Sequence, residues 1–419
     1  MSPLWMMTRR AWLMSAGAAA TTAAATAPAA GNGAAGPTAP TANSAAGIAP
    51  PKPPPTQDPD TVQRGRKIVF PRDHGAHLQA RTEWWYATGW LGSEAQPSAG
   101  FQLTFFRSLT GLARDSRSRF AGRHLLFAHA AWTQLLPGPA AAAAKAQTQA
   151  QAQAQAQPQV GHWHDQGIAR WSGAADAVLG HASEQDGQVR LGRWRLRRDD
   201  QGWRVDVPAR GFKLAMTLTA TQAILLQGDA GFSRKGPQEL QASHYYSEPQ
   251  LLASTDDGQT GRAWMDHEWS NQLLHPEAVG WDWIGINLFD GSALTAFVLR
   301  RRDGSTLWAG GSWRAGQGAG KGAGQGASQS FDQSQVRFTP GRRWLSPSSG
   351  ASYPMQWQLD TPAGAFEVRS LMDAQELDSR NSTGTIYWEG LSELLNGQGQ
   401  RVGLGYLEMT GYAAPLRLG

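Results

Sequence analysis

Along most of this chain apolar and polar residues alternate in short runs, and Gly, Pro, Asp and Asn separate one run from the next. A period of two sends successive side chains to opposite faces of an extended strand, so each run predicts a strand with one face toward a core. No convincing helix of ordinary length interrupts the pattern, which predicts an all-β protein. One run shows what the alternation means for chemistry. In AWMDHEWS (263–270), Trp264, Asp266 and Glu268 point to one face, and Met265, His267 and Trp269 to the other. The adjacent Asp, His and Glu therefore do not form a triad, and chemistry on either face must recruit partners from another strand.

The chain also repeats itself. LFAHAAW (126–132) matches LWAGGSW (307–313), and FQLTFFR (101–107) resembles LTAFVLR (294–300). SHYY (243–246) aligns with TIYW (385–388), and the same offset, 385 − 243 = 142, carries Gly261 to Gly403, Trp264 to Tyr406 and Asp266 to Glu408. This predicts two tandem β units, 61–242 and 243–419, with the hairpins near 243 and 385 as alternative closures of each unit's own sheet. Units so rich in alternating strands are expected to close as barrels, which removes exposed edges and leaves an interior able to hold an apolar ligand.

Two low-complexity stretches interrupt the body, an Ala/Gln-rich run at about 138–160 and a Gly-rich run at about 315–330; both read as hairpin-loop insertions. At the N-terminus, residues 1–30 combine Arg9 and Arg10 with an Ala-rich, modestly apolar run and small residues suited to cleavage. TRRAWLM is similar to a twin-arginine export signal, with apolar Trp12 and Leu13 following the arginine pair, so the expected partner is the twin-arginine machinery and the expected location periplasmic or secreted. Residues 31–60, rich in Pro and Ala, read as a disordered linker.

Composition narrows the chemistry. With 41% hydrophobic residues and 19 tryptophans, 419 residues can fill two cores. There is no cysteine, so neither a disulfide nor a thiolate is available. The net charge of +5 is scattered, and GRWRLRRDD (192–200) alternates and ends in two acids, which reads as a solvated strand face and not a nucleic-acid footprint. HEWSN (267–271) has Asn271 where a zinc-binding HExxH motif needs its second His, and no G-x-S-x-G elbow occurs. His162 and His164 share a strand face beside an insert and read as surface. No metal and no cofactor is expected.

EWWYATGWL (83–91), SHYYSEPQL (243–251), AWMDHEWS, GWDWIGINLFDG (280–291), and the closing YWEG and GYLEMTGY together resemble the AttH-like family, the secreted "predicted hydrolase" branch related to carotenoid 1,2-hydratases. The resemblance spans about 65–415 and implies a pair of lipocalin-like β-barrels acting on an apolar, isoprenoid or lipid-like substrate. It implies catalysis by an Asp, two aromatics and a His, which match Asp266, Trp264, Tyr246 and His244. Trp264 stands where Tyr is usual and Tyr246 where Trp is usual, a departure that bears on substrate identity. Glu268 and the tryptophans of EWWY and GWDWIG, Trp84, Trp85, Trp281 and Trp283, are candidate substrate contacts.

Hydrating an alkene needs an acid strong enough to protonate carbon, a site that tolerates the cation, and a positioned water. Asp266, walled by indole and beside Glu268, is expected to hold a raised pKa; aromatic faces favour the cation, and His244 would orient water. The opposing reading is architectural, because Glu408 occupies the equivalent place in the repeat and both carboxylates could pair with an arginine. His244, His267 and Glu268 become Ile386, Met409 and Thr410 in the repeat, so they mark what is specific to one unit. Glu83 and Asp282 are expected to pair with Arg107 and Arg300. The rivals to an enzyme are a periplasmic lipid carrier associated with a transport system and a purely structural module with filled barrels.

Overall fold

The computed structural model describes residues 60–416 except 114, 119, 136–159, 176, 273 and 317–327. The export signal, the linker up to residue 59 and most of both inserts thus lie outside the described residues. No α-helix is present among the described residues, only a 3₁₀ turn at Arg72–His74.

Thirteen strands build the first sheet: β1 (Thr82–Gly92), β2 (Pro97–Leu109), β3 (His124–Gln134), β4 (Gly161–Trp171), β5 (Gly180–Ala182), β6 (Val189–Leu191), β7 (Trp194–Asp199), β8 (Gly202–Ala209), β9 (Phe212–Thr219), β10 (Leu225–Leu226), β11 (Phe232–Arg234), β12 (Ala242–Thr255) and β13 (Thr260–Ser270). Ten build the second: β14 (Gly280–Leu288), β15 (Ala293–Arg300), β16 (Thr306–Arg314), β17 (Ser328–Phe331), β18 (Arg337–Pro340) and, after a separate hairpin of β19 (Arg343–Leu345) and β20 (Ser352–Pro354), β21 (Gln356–Thr361), β22 (Gly364–Ser370), β23 (Glu376–Asp378), β24 (Ile386–Leu395) and β25 (Arg401–Met409).

The first sheet runs β4-β3-β2-β1-β13-β12-β9-β8-β7-β6-β5 and curls until Gly167 of β4 meets Leu191 of β6, giving a nearly closed barrel. The second repeats the order as β17-β16-β15-β14-β25-β24-β22-β21-β18. The repeat is visible in the register itself. Tyr246 lies opposite His267 and Trp388 opposite Met409, both members displaced by 142 (388 − 246 and 409 − 267). Strands β3 and β4, and β16 and β17, pair antiparallel, so each insert falls between the arms of a hairpin.

The strand pairing corrects the boundary expected at 242/243. β13 hydrogen-bonds to β1 on one side and β12 on the other, so residues 242–270 complete the first sheet and the second begins at Gly280. A central strand needs both neighbours to satisfy its backbone groups, and the hairpin finds them in its own unit.

Alternation along β1 and β13 separates two cores. Trp85, Phe101, Phe105, Trp203 and Met265 fill the first barrel, and Ile284, Trp357, Trp388 and Leu407 the second. Between the barrels lies a third cluster, in which Tyr86, Trp90 and Trp264 meet Trp283, Leu391 and Tyr406. Each such large side chain taken wholly out of water contributes about 1.5–3 kcal/mol. The close approach requires Gly285, where an added Cβ would lie 2.4 Å from the Trp283 ring and 3.2 Å from Trp264. A polar contact joins the barrels as well. At the β12 bulge Gln250, with φ of 58°, donates its backbone N–H to Asn287 Oδ1 (2.8 Å) and its side-chain amide to the carbonyls of Leu288 and Ser292, both at 2.8 Å.

Candidate active site

The two faces of AWMDHEWS lead to different places, as alternation predicts. Trp264, Asp266 and Glu268 face the layer between the barrels, whereas Met265, His267 and Trp269 face the first barrel's interior.

In the interbarrel layer Asp266 is buried and receives three hydrogen bonds, from Ser247 Oγ (2.5 Å) and Trp264 Nε1 (2.6 Å) on one oxygen and from Tyr245 Oη (2.7 Å) on the other. None of these donors carries charge, so the arginine partner that the architectural reading requires is replaced by neutral groups. Burial pushes the Asp266 carboxyl up to about 7; the three donors oppose the shift and the neighbouring Glu268 adds to it. Glu268 has its own cation, Lys235 Nζ at 3.1 Å, and Ser243 Oγ donates to it. The Lys235 ammonium also lies over the rings of Tyr245 (4.6 Å) and Phe297 (4.3 Å). Trp283 Nε1 reaches the Tyr245 hydroxyl at 3.3 Å, and its ring meets Tyr86 and Trp264 edge-on.

Across the layer, Glu408 stands beside Trp283 in the ladder and opposite Glu389. Glu408 too lacks an arginine: burial raises its carboxyl to about 7, against a hydrogen bond from Trp281 and with further push from Asp266. Glu389 is pushed well above the ordinary carboxylate range by burial and then by Glu408, against the opposing pull of the Tyr86 and Tyr387 hydroxyls. The layer thus gathers three carboxyls, each raised by burial, between aromatic walls.

The second constellation lies inside the first barrel. Glu83 Oε1 accepts from His77 Nδ1 (2.8 Å) and His267 Nε2 (3.0 Å), and Oε2 accepts from Arg107 Nε (2.9 Å). The other nitrogen of His77 faces Asp73 Oδ1 at 3.2 Å. Burial would lower His77, but hydrogen bonds to Asp73 and Glu83 outweigh it and raise its pKa. With both nitrogens facing carboxylates, His77 is an imidazolium. His267 is lowered by burial and is neutral, donating through Nε2, so Tyr246 Oη (3.2 Å) donates to its Nδ1 and accepts from His74 Nδ1 (2.7 Å). Trp269 stacks on His77 at 3.6 Å and Trp85 on His267 at 4.8 Å. The ligating atoms of His77, Glu83 and His267 lie within 4.8 Å of one another, the spread of a metal's donor set. The same atoms also join in a hydrogen-bonded network with Asp73, Arg107 and Tyr246.

The expected catalytic four are therefore split. Asp266 and Trp264 share the interbarrel face, but Tyr246 lies opposite His267, and His244 opposite Trp269, on the interior face. A strand's pleat forbids otherwise, since residues directly opposite share a face. His244 is lowered to about 4 by burial and packs on Trp269 at 5.5 Å, away from Asp266. Of the expected substrate contacts, Glu268, Trp283, Trp281 and Trp84 lie on the interbarrel side and Trp85 does not. Tyr245 and Ser247 were missed, although Tyr245 stands in the quoted SHYY; only the β12–β13 register identifies it as the Asp266 partner. Glu83 and Asp282 do pair with Arg107 and Arg300, at 2.9 and 2.7 Å.

A model of the AttH-like family matches residues 61–170 and 158–412. Among solved structures, that of a candidate AttH from Nitrosomonas europaea is 38% identical with a TM-score of 0.69, covering 84% of this chain and 99% of its own. Kievitone hydratase from Nectria haematococca has the same fold at 13% identity and a TM-score of 0.55, covering 83% and 94%. No curated protein matches the sequence.

Proposed function

The chain belongs to the AttH-like family, and from that premise and the interbarrel geometry we propose that it is an enzyme of the hydratase type, adding water to an apolar, isoprenoid or lipid-like substrate with Asp266 as the acid. The observation that carries the reading is a buried carboxyl poised at about 7, hydrogen-bonded by three neutral donors and paired with no cation. A general acid works best when its pKa lies near the operating pH.

In the proposed reaction the Asp266 O–H bond breaks, its proton forms a C–H bond with one alkene carbon, and the other carbon becomes a cation. The faces of Trp264, Trp283 and Tyr86 stabilise that cation by about 0.5–2 kcal/mol each. Water adds to it, and the surplus proton of the oxonium returns to the Asp266 carboxylate. Tyr245 and Ser247 hold the carboxylate while it is charged. Related hydrolysis would use the same acid against a leaving group. The resemblance of this fold to kievitone hydratase supports water addition as the class of reaction.

The test uses the repeat as an internal control. The purified protein is incubated with a carotenoid or lipid extract, and mass spectrometry follows products heavier by one water. Asp266→Asn is expected to abolish the product while retaining bound ligand, and Glu408→Gln to retain turnover. Ligand recovered unchanged from the wild type would instead make the protein a carrier, and equal loss in both variants would make Asp266 an architectural group.

A further inference from the structure

The outer faces of the two barrels differ in a way that the fold does not require. On the first barrel, β6 to β9 turn Arg190, Arg195, Arg197, Arg204 and Lys213 outward into a groove of about 450 Å³. Register places Arg190 directly opposite Arg195, and Arg197 directly opposite Arg204. Like charges facing each other across a strand pair destabilise it, so two such pairs call for something outside the sheet to neutralise them. The carboxylates in the groove are Asp206, opposite Arg195, and Asp256, 2.7 Å from Arg204; five cations against two acids leave an excess of three. The second barrel does the opposite. At the corresponding strands Arg337 lies opposite Asp360 and pairs with it at 2.6 Å, and Gln358 faces Glu367.

Apolar groups stand beside the cations. Arg190 donates to the carbonyl of Val178 at 2.8 Å, holding the segment in which Val178 and Leu179 are 77% and 66% exposed. Beyond Leu179 a second groove, of about 570 Å³, is lined by Ile168, Leu191 and Trp194 together with Arg193 and Arg210. It lies where β4 meets β5 and β6 without a hydrogen-bonded ladder.

We propose that this face docks the protein on an anionic lipid surface, with the arginines over the headgroup phosphates and Val178 and Leu179 inserted beneath them. Guanidinium forks match phosphate oxygens, a basic cluster is drawn to an anionic leaflet within a Debye length, and exposed aliphatic side chains gain by entering the interface. A nucleic acid would neutralise the arginines equally well but leaves Val178 and Leu179 without a role, so the pairing of charge with exposed aliphatics selects lipid. Docking goes beyond the proposed reaction and does not depend on it.

The experiment is co-sedimentation of the purified full chain with vesicles of phosphatidylcholine alone or with about 30% phosphatidylglycerol, where the anionic lipid is expected to raise partitioning by about tenfold or more. High salt should remove most of that gain. The double variant Arg195→Glu/Arg197→Glu is expected to lose the gain, and Val178→Asp/Leu179→Asp to bind more weakly at every salt concentration. Arg337→Glu, on the other barrel, should bind as the wild type does. Arg195→Gln/Arg197→Gln serves as a milder second test, each variant being checked by its melting curve. Equal binding to both vesicle types, or charge reversal without effect, would overturn the proposal. So would a variant set that weakens binding to a DNA duplex and leaves lipid binding intact.

Discussion

Both barrels bury a carboxylate against an arginine at the same end of the same strand pair, yet the two hold their protons differently. Glu83 lies well below the ordinary carboxylate range, since Arg107, His267 and His77 together overcome the upward push of burial. Asp282 is raised to about 6, because Arg300 and Tyr412 only partly offset the same push. Both are fully enclosed, so exposure does not separate them. What separates them is the number of charged or N–H donors, and the decisive substitution is readable in the repeat: His267 in one barrel is Met409 in the other. One arginine only partly offsets the burial of Asp282, whereas Arg107 aided by two imidazoles more than offsets that of Glu83.

The comparison can be broken most forcefully at Glu83. Glu83→Gln leaves Arg107 and the His77 imidazolium buried beside a neutral amide, and is expected to cost about 3–5 kcal/mol in urea unfolding. Copying the second barrel into the first with His267→Met removes one donor and keeps the ion pair, so a smaller loss of about 1–3 kcal/mol is expected. The smallest effect belongs to Asp282→Asn, about 1 kcal/mol, and here the pH dependence sharpens the contrast. Asp282 has its pKa raised on folding, so its contribution is full below its unfolded value of 3.8 and is lost as pH rises through about 6. The stability gap between the wild type and Asp282→Asn should therefore widen on acidification from about pH 7 to 5. Glu83 is depressed on folding, so its contribution persists above 4.5 and fades only as pH falls below that value. Over the same range the Glu83 carboxyl itself does not titrate, so any movement of the Glu83→Gln gap belongs to His77 and His267. In the double variant Glu83→Gln/His77→Gln, measured against His77→Gln, the gap should move less between about pH 7 and 5 than the Asp282→Asn gap does.

The fold was legible because alternation, tandem motifs and turn residues are local signals that agree with one another. The two faces of AWMDHEWS and the pairing of Glu83 and Asp282 with their arginines followed from period and repeat alone. The candidate site was legible only by half. Asp266, Trp264, Glu268 and Trp283 share one layer, but His244 and Tyr246 were grouped with Asp266 by motif, and motif order says nothing of the face a neighbouring strand presents. One step along β12, from Tyr246 to Tyr245, exchanges the interior for the interbarrel layer. The boundary at 242 failed for the related reason that a hairpin's loyalty is decided by ladder hydrogen bonds, which the sequence does not display. His77 and Asp73 lie before the first strand, where no periodicity marks them.

The bulge at Gln250 gives the duplication a direction that cannot be reversed by cutting. Two copies of one barrel would each have been complete, but here a residue of the first, held at a left-handed φ that glycine would adopt more readily, closes hydrogen bonds on the turn of the second. Separated halves would each keep most of their strands and lose that exchange, with a strained backbone on one side and bare carbonyls on the other. What began as a repeat has become a single indivisible body, and the carboxyl layer between its barrels exists only in the undivided chain.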